Sequence, residues 1–242
     1  MTLIPRDFFA RPSVPLAPEL LGLVLEHETD AGLVAVELTE VEAYAGASDP
    51  ASHAYRGKTA RNAVMFGPPG HAYVYFTYGM HFCVNLVCLG NGSASAVLLR
   101  AGRIIAGEEL ARTRRTGVPR GVRGARGGRG DGESPRADGQ SPRGKTVIPF
   151  RDLARGPARL CQALDIDRSL DGADVCAAES PLRMRWPDAS TTARSAEKRV
   201  LSGPRVGVSQ AAELPWRFWI EGEPTVSVYR PAVPRRRKLV TP

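Results

Sequence analysis

Residues 69–85 read Pro-Gly-His-Ala-Tyr-Val-Tyr-Phe-Thr-Tyr-Gly-Met-His-Phe-Cys-Val-Asn, and they contain three of the chain's six tyrosines. The alternation before Tyr78 and the apolar run after Gly79 predict two strands joined by a tight turn. This hairpin would place Tyr78 at or beside its tip. An exposed aromatic ring there is unfavourable for solubility but well suited to wedging between stacked bases.

The register of the hairpin decides which side chains share a face. A two-residue turn at 78–79 would pair Tyr75 with Phe82 and direct Asn85 to the opposite face. A three-residue turn or a bulge would place Asn85 on the face of Tyr75, because a shift of one residue exchanges the two faces. The sequence leaves both registers open. It also leaves open whether Tyr73 and Tyr75 form ordinary β-core packing or a stacking platform for a base.

Composition limits the class of protein. Lys and Arg outnumber Asp and Glu by 33 to 25 and the sequence pI is about 9.7, which is typical of nucleic-acid-binding proteins. The four cysteines form no Cys-x-x-Cys pair, so we expect reduced thiols and no metal site. The N-terminus lacks the apolar run of a signal peptide, and no stretch reaches membrane-spanning length. We therefore expect a cytoplasmic protein, nucleoid-associated if bacterial, with no membrane partner.

The order of apolar and turn-forming segments favours a mixed α/β (α+β) fold. Because regular βαβ alternation is missing, a mostly antiparallel sheet with flanking helices is favoured over a parallel Rossmann sheet. Residues 113–147 are rich in Arg, Gly and Pro and predict a disordered insert, and residues 231–242 predict a basic tail. Strands are predicted at 32–44, 96–101, 181–186, 204–208, 216–221 and 224–229, and helices at 104–115 and 156–164.

Two carboxylates lie near the end of the strand predicted at 32–44, before a long loop. Glu40 and Glu42 lie two residues apart and so point to the same face, with Tyr44 two residues further on. On a concave face they would converge on a site, and one could act as a general base. On a convex face they would be ordinary solvated charges.

Basic side chains and one histidine follow in the loop predicted over 45–63. His53 lies close in sequence to Arg56 and Arg61, which suits either a loop that holds DNA phosphates or a solvated basic loop. Arg100 ends an apolar strand, where it is either a charge in water or the partner of a carboxylate or phosphate.

Many further motifs occur in a fixed order. They are Leu-Leu-Gly at 20–22, Glu-Val-Glu-Ala-Tyr at 40–44, Asp-Pro-Ala-Ser-His at 49–53, Arg-Asn at 61–62, the tyrosine-rich stretch at 69–85, Leu-Leu-Arg-Ala at 98–101, Gly-Pro at 156–157, Leu-Cys-Gln-Ala-Leu at 160–164 and Arg-Val-Gly-Val at 205–208. In this order, over most of residues 8–110 and 150–229, the chain resembles the alkyladenine (3-methyladenine, or methylpurine) DNA glycosylase family of base-excision repair.

The resemblance implies a single domain over 1–242, built on a curved, mostly antiparallel sheet and needing no metal or organic cofactor. It implies a monomeric N-glycosyl hydrolase whose partner is double-stranded DNA containing damaged purines. Alkylated or deaminated purines would be flipped out of the duplex and released by a Glu-activated water, leaving an abasic site. No lysine in the matched motifs suits a Schiff base, so we expect a monofunctional enzyme without lyase activity.

The resemblance also implies roles for individual residues. Glu42 would be the general base, and Arg100 would help hold the water and the carboxylate. Tyr44, His53 and Tyr75 would line the pocket for the flipped base, Asn85 would screen the purine edge, Tyr78 would intercalate, and Arg56 and Arg61 would contact the DNA backbone.

Two alternatives stay open at this stage. One is a non-catalytic minor-groove DNA-binding protein on the same scaffold. The other is a carboxylate-dependent hydrolase of nucleosides or sugars that uses Glu40 and Glu42. Neither a nucleoside hydrolase nor a simple DNA-binding protein needs the full combination of a wedge, an aromatic pocket and a carboxylate.

Overall fold

The computed structural model describes residues 2–77, 79–90, 92–117, 147–188 and 198–232. The strands of this part of the chain are β1 (Val24–Thr29), β2 (Gly32–Tyr44), β3 (Ala72–Thr77), β4 (His81–Cys88), β5 (Ser95–Ala106), β6 (Leu182–Arg185), β7 (Val200–Gly203) and β8 (Arg217–Ile220). Its α-helices are α1 (Ser13–Leu16), α2 (Glu108–Thr116) and α3 (Pro157–Leu164). Short 3-10 helices span Arg6–Phe8, Ala17–Leu20, Gly46–Ser48, Ala63–Phe66, Phe150–Asp152 and Arg168–Leu170.

All eight strands join one sheet in which paired neighbours run antiparallel. The order is β3-β4-β5-β2-β1-β6, while β8 pairs with β2 and β7 pairs with β8. The long strand β2 pairs with β5 on one side. On its other side it pairs first with β1 and then with β8. The predicted α+β class with a mostly antiparallel sheet is therefore confirmed.

A bulge in β2 decides which of its residues face the core. Before the bulge the even-numbered Val36 and Leu38 are buried in the main apolar cluster, and after it the odd-numbered Val41 and Ala43 are. The pairing with β5 shifts on both sides of Glu40, which is where the extra residue is accommodated. Glu40 and the residues two and four beyond it consequently lie on the face opposite the apolar core.

The hairpin of β3 and β4 has the three-residue turn. Thr77 pairs with His81, which leaves residues 78–80 for the turn, and Tyr73 pairs with Asn85. Asn85 therefore lies on the face of the tyrosines, as the three-residue alternative requires.

The turn itself depends on glycine. Gly79 has φ = 67°, a left-handed conformation that a residue without Cβ adopts without strain. Tyr78 lies outside the described residues, so its place at the hairpin tip stays a prediction.

Helix α3 covers the core face of the sheet. It begins with Pro157 and ends at Leu164, and the C-cap residue Asp165 takes the left-handed conformation. Four of its residues are buried against the sheet: Leu160, Cys161, Ala163 and Leu164. The predicted helix at 156–164 is thus confirmed.

The helix predicted at 104–115 begins too early. Ile104 and Ala106 are still paired with β2, so they belong to β5, and α2 begins at Glu108. The break is at Gly107, which has φ = 73° and whose added Cβ would meet the Leu33 carbonyl oxygen. Apolar spacing alone does not distinguish the end of a paired strand from the first turn of a helix.

Two predicted strands are wrong, and the structure gives a physical reason for each. Residues 204–208 and 224–229 form no strand, whereas β7 lies earlier, at Val200–Gly203. The Val206 N–H donates to the Glu42 side chain and the Ser227 N–H donates to the Glu40 side chain. Buried carboxylates have therefore taken backbone donors that a strand would use for pairing. The strands predicted at 181–186 and 216–221 are confirmed within a residue or two.

Residues 113–116, which were predicted to begin a disordered insert, are helical. Helix α2 continues to Thr116, supported by an Arg112–Glu108 ion pair and by Arg114, which donates to the Ala163 carbonyl. The arginine-rich composition suggested disorder from residue 113. However, arginines also occur on the exposed face of a helix, where their apolar stems pack along the helix surface. Residues 118–146 and 233–242 lie outside the described residues, so the predicted insert and tail stay predictions.

His27 connects β1 to the end of α3. Its Nδ1–H donates to the Leu164 carbonyl oxygen at 2.6 Å, and the residue is 6% exposed. Burial lowers the pKa of His27, and the positive charge of Arg114 adds to this effect.

Protonation of His27 should destabilise the fold. The unfolded chain takes up the proton near its ordinary pKa of about 6.5, whereas the folded protein holds the neutral ring to lower pH. The free energy of unfolding should therefore fall as pH drops below about 6.5 and level off below the folded pKa. Urea unfolding of His27→Gln between pH 7 and 5 should show a shallower pH slope than that of the wild type. An unchanged slope in His27→Gln would contradict the assignment.

Candidate active site

A cavity of about 340 Å³ opens on the face of the sheet opposite the core. It lies where β2 to β5 meet the loop at 51–53 and the backbone of 206–208. The six side chains predicted to take part in catalysis or to contact the base line it: Glu42, Tyr44, His53, Tyr75, Asn85 and Arg100. A larger cavity of about 600 Å³ lies between α2, α3 and the β1–β2 turn and contains none of the six.

Glu42 lines this cavity, and its side chain is otherwise completely buried. Its Oε1 accepts a hydrogen bond from the Val206 N–H at 2.7 Å, and its Oε2 accepts one from the Tyr44 hydroxyl at 3.0 Å. Arg100 Nη1 lies 3.2 Å from the same Oε2. The two hydrogen bonds and the ion pair with Arg100 together fix the orientation of the Glu42 carboxylate.

Arg100 lies between the two carboxylates of β2. Its Nε donates to Glu40 Oε1 at 2.7 Å while its Nη1 reaches Glu42. Burial opposes the charged form of Arg100, but the charges of Glu42 and Glu40 outweigh it and raise the pKa of Arg100. The expectation that both carboxylates share a face is supported by this shared partner, and Arg100 is a carboxylate partner and not a charge in water.

Glu40 lies behind the cavity wall and holds Arg100 in place. Besides Arg100 it accepts from Arg217 Nε at 2.7 Å and from the N–H and hydroxyl of Ser227 at 2.6 and 2.8 Å. Burial would raise the pKa of Glu40, but the charges of Arg100 and Arg217 outweigh it and lower that pKa. Glu40 is therefore a buried structural anion, and only Glu42 of the pair reaches the cavity.

Aromatic rings form the side wall. Tyr73 and Tyr75 are stacked with centroids 5.5 Å apart and planes 24° apart, and the His53 ring meets Tyr75 edge-on at 4.6 Å. His53 Nδ1 lies 3.2 Å from the Tyr73 hydroxyl. Tyr73 is buried and Tyr75 half-buried, so the pair combines core packing with a face toward the cavity.

The aromatic wall carries no charge at neutral pH. Burial raises the pKa of Tyr75 and of Tyr44 well above the ordinary value, and for Tyr44 the nearby Glu42 charge adds to this. Partial burial, together with the charge of Arg61, lowers the pKa of His53. The lining of the cavity therefore combines neutral aromatic surfaces with the Glu42 carboxylate.

Asn85 closes the cavity on the β4 side. Its side-chain Nδ2 donates to the Tyr73 carbonyl oxygen at 3.3 Å, and the residue is 5% exposed. A buried amide at this position offers a specific hydrogen-bonding edge to whatever enters.

Comparison with known proteins identifies the family. Residues 7–224 match the model of the methylpurine-DNA glycosylase (MPG) family. The chain belongs to this family. The prediction of a DNA glycosylase that acts in DNA repair, with DNA as its partner, is thereby confirmed.

Similarity to individual family members extends over nearly the whole chain. A protein of Streptomyces avermitilis named "Putative 3-methyladenine DNA glycosylase" is 52% identical, covering 98% of this chain and 96% of that protein. Proteins of the same name from Leifsonia xyli subsp. xyli and Methanocella arvoryzae are 47% and 40% identical, covering 93% and 96% of this chain and 92% and 98% of theirs.

Two predicted DNA-contacting residues lie beside the cavity and not in it. Arg56 and Arg61 are exposed, and Arg61 Nη2 donates to the Phe76 carbonyl oxygen at 3.3 Å. Asn62, the second residue of the Arg-Asn motif, closes this loop by donating to the carbonyl oxygens of His53 and of residue 57. The loop is therefore braced from within.

The backbone of 206–208 lines the site, although the sequence predicted a strand at 204–208 and gave no indication of this role. Gly207 has φ = 70°, which is not a strand conformation. Gly207 is the signal in the sequence that could have indicated irregular backbone here, because a glycine inside an apolar run often marks a bulge or a bend. Among the described residues no cluster of three or more His, Cys, Asp or Glu could hold a metal ion, and no helix is long and apolar enough to cross a membrane.

The Glu40 network should be important for stability. Glu40→Gln leaves two buried arginines with one carboxylate fewer, and breaking a buried ion pair costs about 3–5 kcal/mol. Urea unfolding should show a loss of this size. Glu19→Gln, which breaks the solvent-exposed pair with Arg11, should cost only about 0–1 kcal/mol. Equal losses in the two variants would show that the network contributes little.

Proposed function

We propose that this protein is a monofunctional base-excision glycosylase that flips alkylated or deaminated purines out of duplex DNA. Glu42 activates a water molecule that hydrolyses the N-glycosidic bond, and an abasic site remains. The observation that carries the proposal is a buried, hydrogen-bonded carboxylate in the lining of a neutral aromatic cavity. A protein that only binds DNA needs no such carboxylate.

The substrate must leave the duplex before it can react. The glycosidic bond is out of reach inside stacked DNA, so the nucleotide rotates out at a cost of about a few kcal/mol. A cavity of about 340 Å³ is within the range of small-ligand sites and suits one purine. An alkylated purine carries positive charge, and it is attracted to the faces of Tyr44 and Tyr75.

The chemistry needs one anion and one water. As the glycosidic bond breaks, the sugar becomes oxocarbenium-like, and the Glu42 carboxylate stabilises this charge and deprotonates the attacking water. Arg100 holds the carboxylate and the water in line. No lysine lines the cavity in the described part of the chain, which supports hydrolysis without a Schiff-base intermediate.

Selection of the base falls to the side walls. Tyr44, His53 and Tyr75 contact the flipped base, and Asn85 disfavours the exocyclic amino group of guanine. Since the pKa of His53 is lowered, the imidazole is neutral at pH 7 and does not repel a cationic purine. Acidification protonates this ring and should weaken capture of cationic lesions.

The surface around the cavity mouth engages the DNA. Arg56 and Arg61 contact phosphates, which position the duplex without reading its sequence. Tyr78 fills the gap that the flipped nucleotide leaves in the stack. We propose that the protein works as a cytoplasmic monomer in a single domain, without a cofactor.

Glu42→Gln tests the mechanism. Base release from duplexes that carry 3-methyladenine, 7-methylguanine, hypoxanthine or ethenoadenine should fall by roughly 10²–10⁴ in single-turnover assays, because the amide is no base. Binding to the same duplexes should persist. Glu28→Gln, on the exposed end of β1, should release bases like the wild type. Release at a near-wild-type rate by Glu42→Gln would refute the mechanism, and strand cleavage without alkali would refute monofunctional hydrolysis.

Tyr78→Ala tests the wedge. Loss of an intercalated ring should weaken lesion-duplex binding by about 1–3 kcal/mol, the value of one base–aromatic stack. The fluorescence of ethenoadenine placed in a duplex reports whether the base has left the stack. Tyr229→Ala removes another exposed tyrosine and should leave that signal unchanged. Wild-type lesion binding by Tyr78→Ala would count against intercalation.

A further inference from the structure

Arg205 lies directly behind the wall that presents Glu42. Its side chain is fully buried and is not part of the cavity lining. Nη1 donates to Asp49 Oδ2 at 2.5 Å and Nη2 donates to Asp49 Oδ1 at 2.9 Å. This is the two-armed geometry in which a guanidinium binds a carboxylate most specifically.

Two aromatic rings contact the same guanidinium. Its Cζ lies 4.7 Å from the ring centroid of Tyr44 and 5.1 Å from that of Trp216. Nη1 also donates to the Ala43 carbonyl oxygen at 3.0 Å. A planar cation can stack on rings and donate from its edge at once, which an ammonium group cannot do.

Arg205 is linked to two of the three groups that hold Glu42. The Tyr44 ring rests on the guanidinium, and the Tyr44 hydroxyl donates to Glu42. The next residue in the chain, Val206, donates its backbone N–H to the other carboxylate oxygen. A shift of Arg205 would therefore move both donors relative to Glu42.

Asp49 extends this link to the loop that carries His53. Its carboxylate accepts from the backbone N–H groups of Ala45 and Ala51, at 3.3 and 3.0 Å. Ala51 itself lines the cavity and precedes His53 by two residues. The Arg205–Asp49 pair thus connects the β2 end, the 206–208 segment and the His53 loop.

One detail is unfavourable for stability. The buried Nε of Arg205 has no hydrogen-bond partner among the described residues. An unpaired buried donor on a cation destabilises the folded protein, so stability alone does not favour this arrangement. Its value is better explained by the positions that the guanidinium imposes on its neighbours.

We infer that Arg205 is a positioning residue for base excision. Paired with Asp49 and packed against the rings of Tyr44 and Trp216, it holds the Tyr44 hydroxyl and the Val206 N–H against Glu42. It thereby sets the orientation in which Glu42 meets the water. This inference rests on the proposed role of Glu42.

Arg205→Lys is the main test. Lysine keeps a positive charge beside Asp49, but it cannot make the two-armed hydrogen bonds or offer a planar group to the rings. Single-turnover release of hypoxanthine from a duplex is measured while the enzyme is titrated to saturation. The rate at saturation should fall roughly tenfold or more, since small misplacements of catalytic groups have effects of this order. The half-saturating enzyme concentration should stay near that of the wild type. A merely structural role would lower the folded fraction and so raise the apparent half-saturating concentration.

Matched variants complete the test. Arg183→Lys changes an arginine that pairs with Glu26 and Glu28 away from the cavity, and it should keep the wild-type rate at saturation. If circular dichroism shows that Arg205→Lys does not fold, Trp216→Leu tests the positioning role instead. It removes one ring that contacts Arg205 and should lower the rate at saturation. Trp186→Leu, which changes an exposed tryptophan, should keep a higher rate.

The outcomes separate the inference from the proposed function. Wild-type rates at saturation in Arg205→Lys, or in Trp216→Leu where that variant decides, would overturn the positioning role. Normal base release by the Glu42→Gln protein, or none by the wild type on any lesion, would refute the proposed function itself.

Discussion

Two carboxylates withdrawn from water at the end of β2 place the strongest constraint on this structure. Glu40 and Glu42 are both completely buried, and a buried anion is tolerated only with donors and opposite charge around it. Those partners come from distant parts of the chain: Arg100 on β5, Arg217 on β8, and the backbone N–H groups of Val206 and Ser227. Val206, Arg217 and Ser227 are thereby connected to β2 through the two carboxylates.

The sheet divides stability and chemistry between its two faces. One face carries the apolar core under α3, and the other carries the ionic network and the cavity. The bulge at Glu40 allows β2 to serve both, since the extra residue changes which positions face the core. Burial of apolar area on the first face offsets the cost of burying charge on the second.

Much of the site could be predicted because its signals are local. Glu42 and Tyr44 share a face by strand periodicity, and the tyrosines of β3 by the same rule. The ordered motifs then indicated the family, which the comparison confirmed. Three predictions failed for non-local reasons. The segments predicted as strands at 204–208 and 224–229 each donate a backbone N–H to a carboxylate far away in sequence, and α2 begins later than predicted because β5 stays paired to Ala106.

The sequence by itself determined the hairpin, the antiparallel character of the sheet and the residues able to form an aromatic pocket with a carboxylate. Only the tertiary structure decided that Asn85 faces the tyrosines and that Arg100 lies between two carboxylates. Only the tertiary structure shows Arg205 stacked behind Tyr44. Periodicity states which neighbours along a strand share a face. The choice of register and of partners depends instead on contacts between segments far apart in sequence, because buried charges and backbone donors must all be satisfied together.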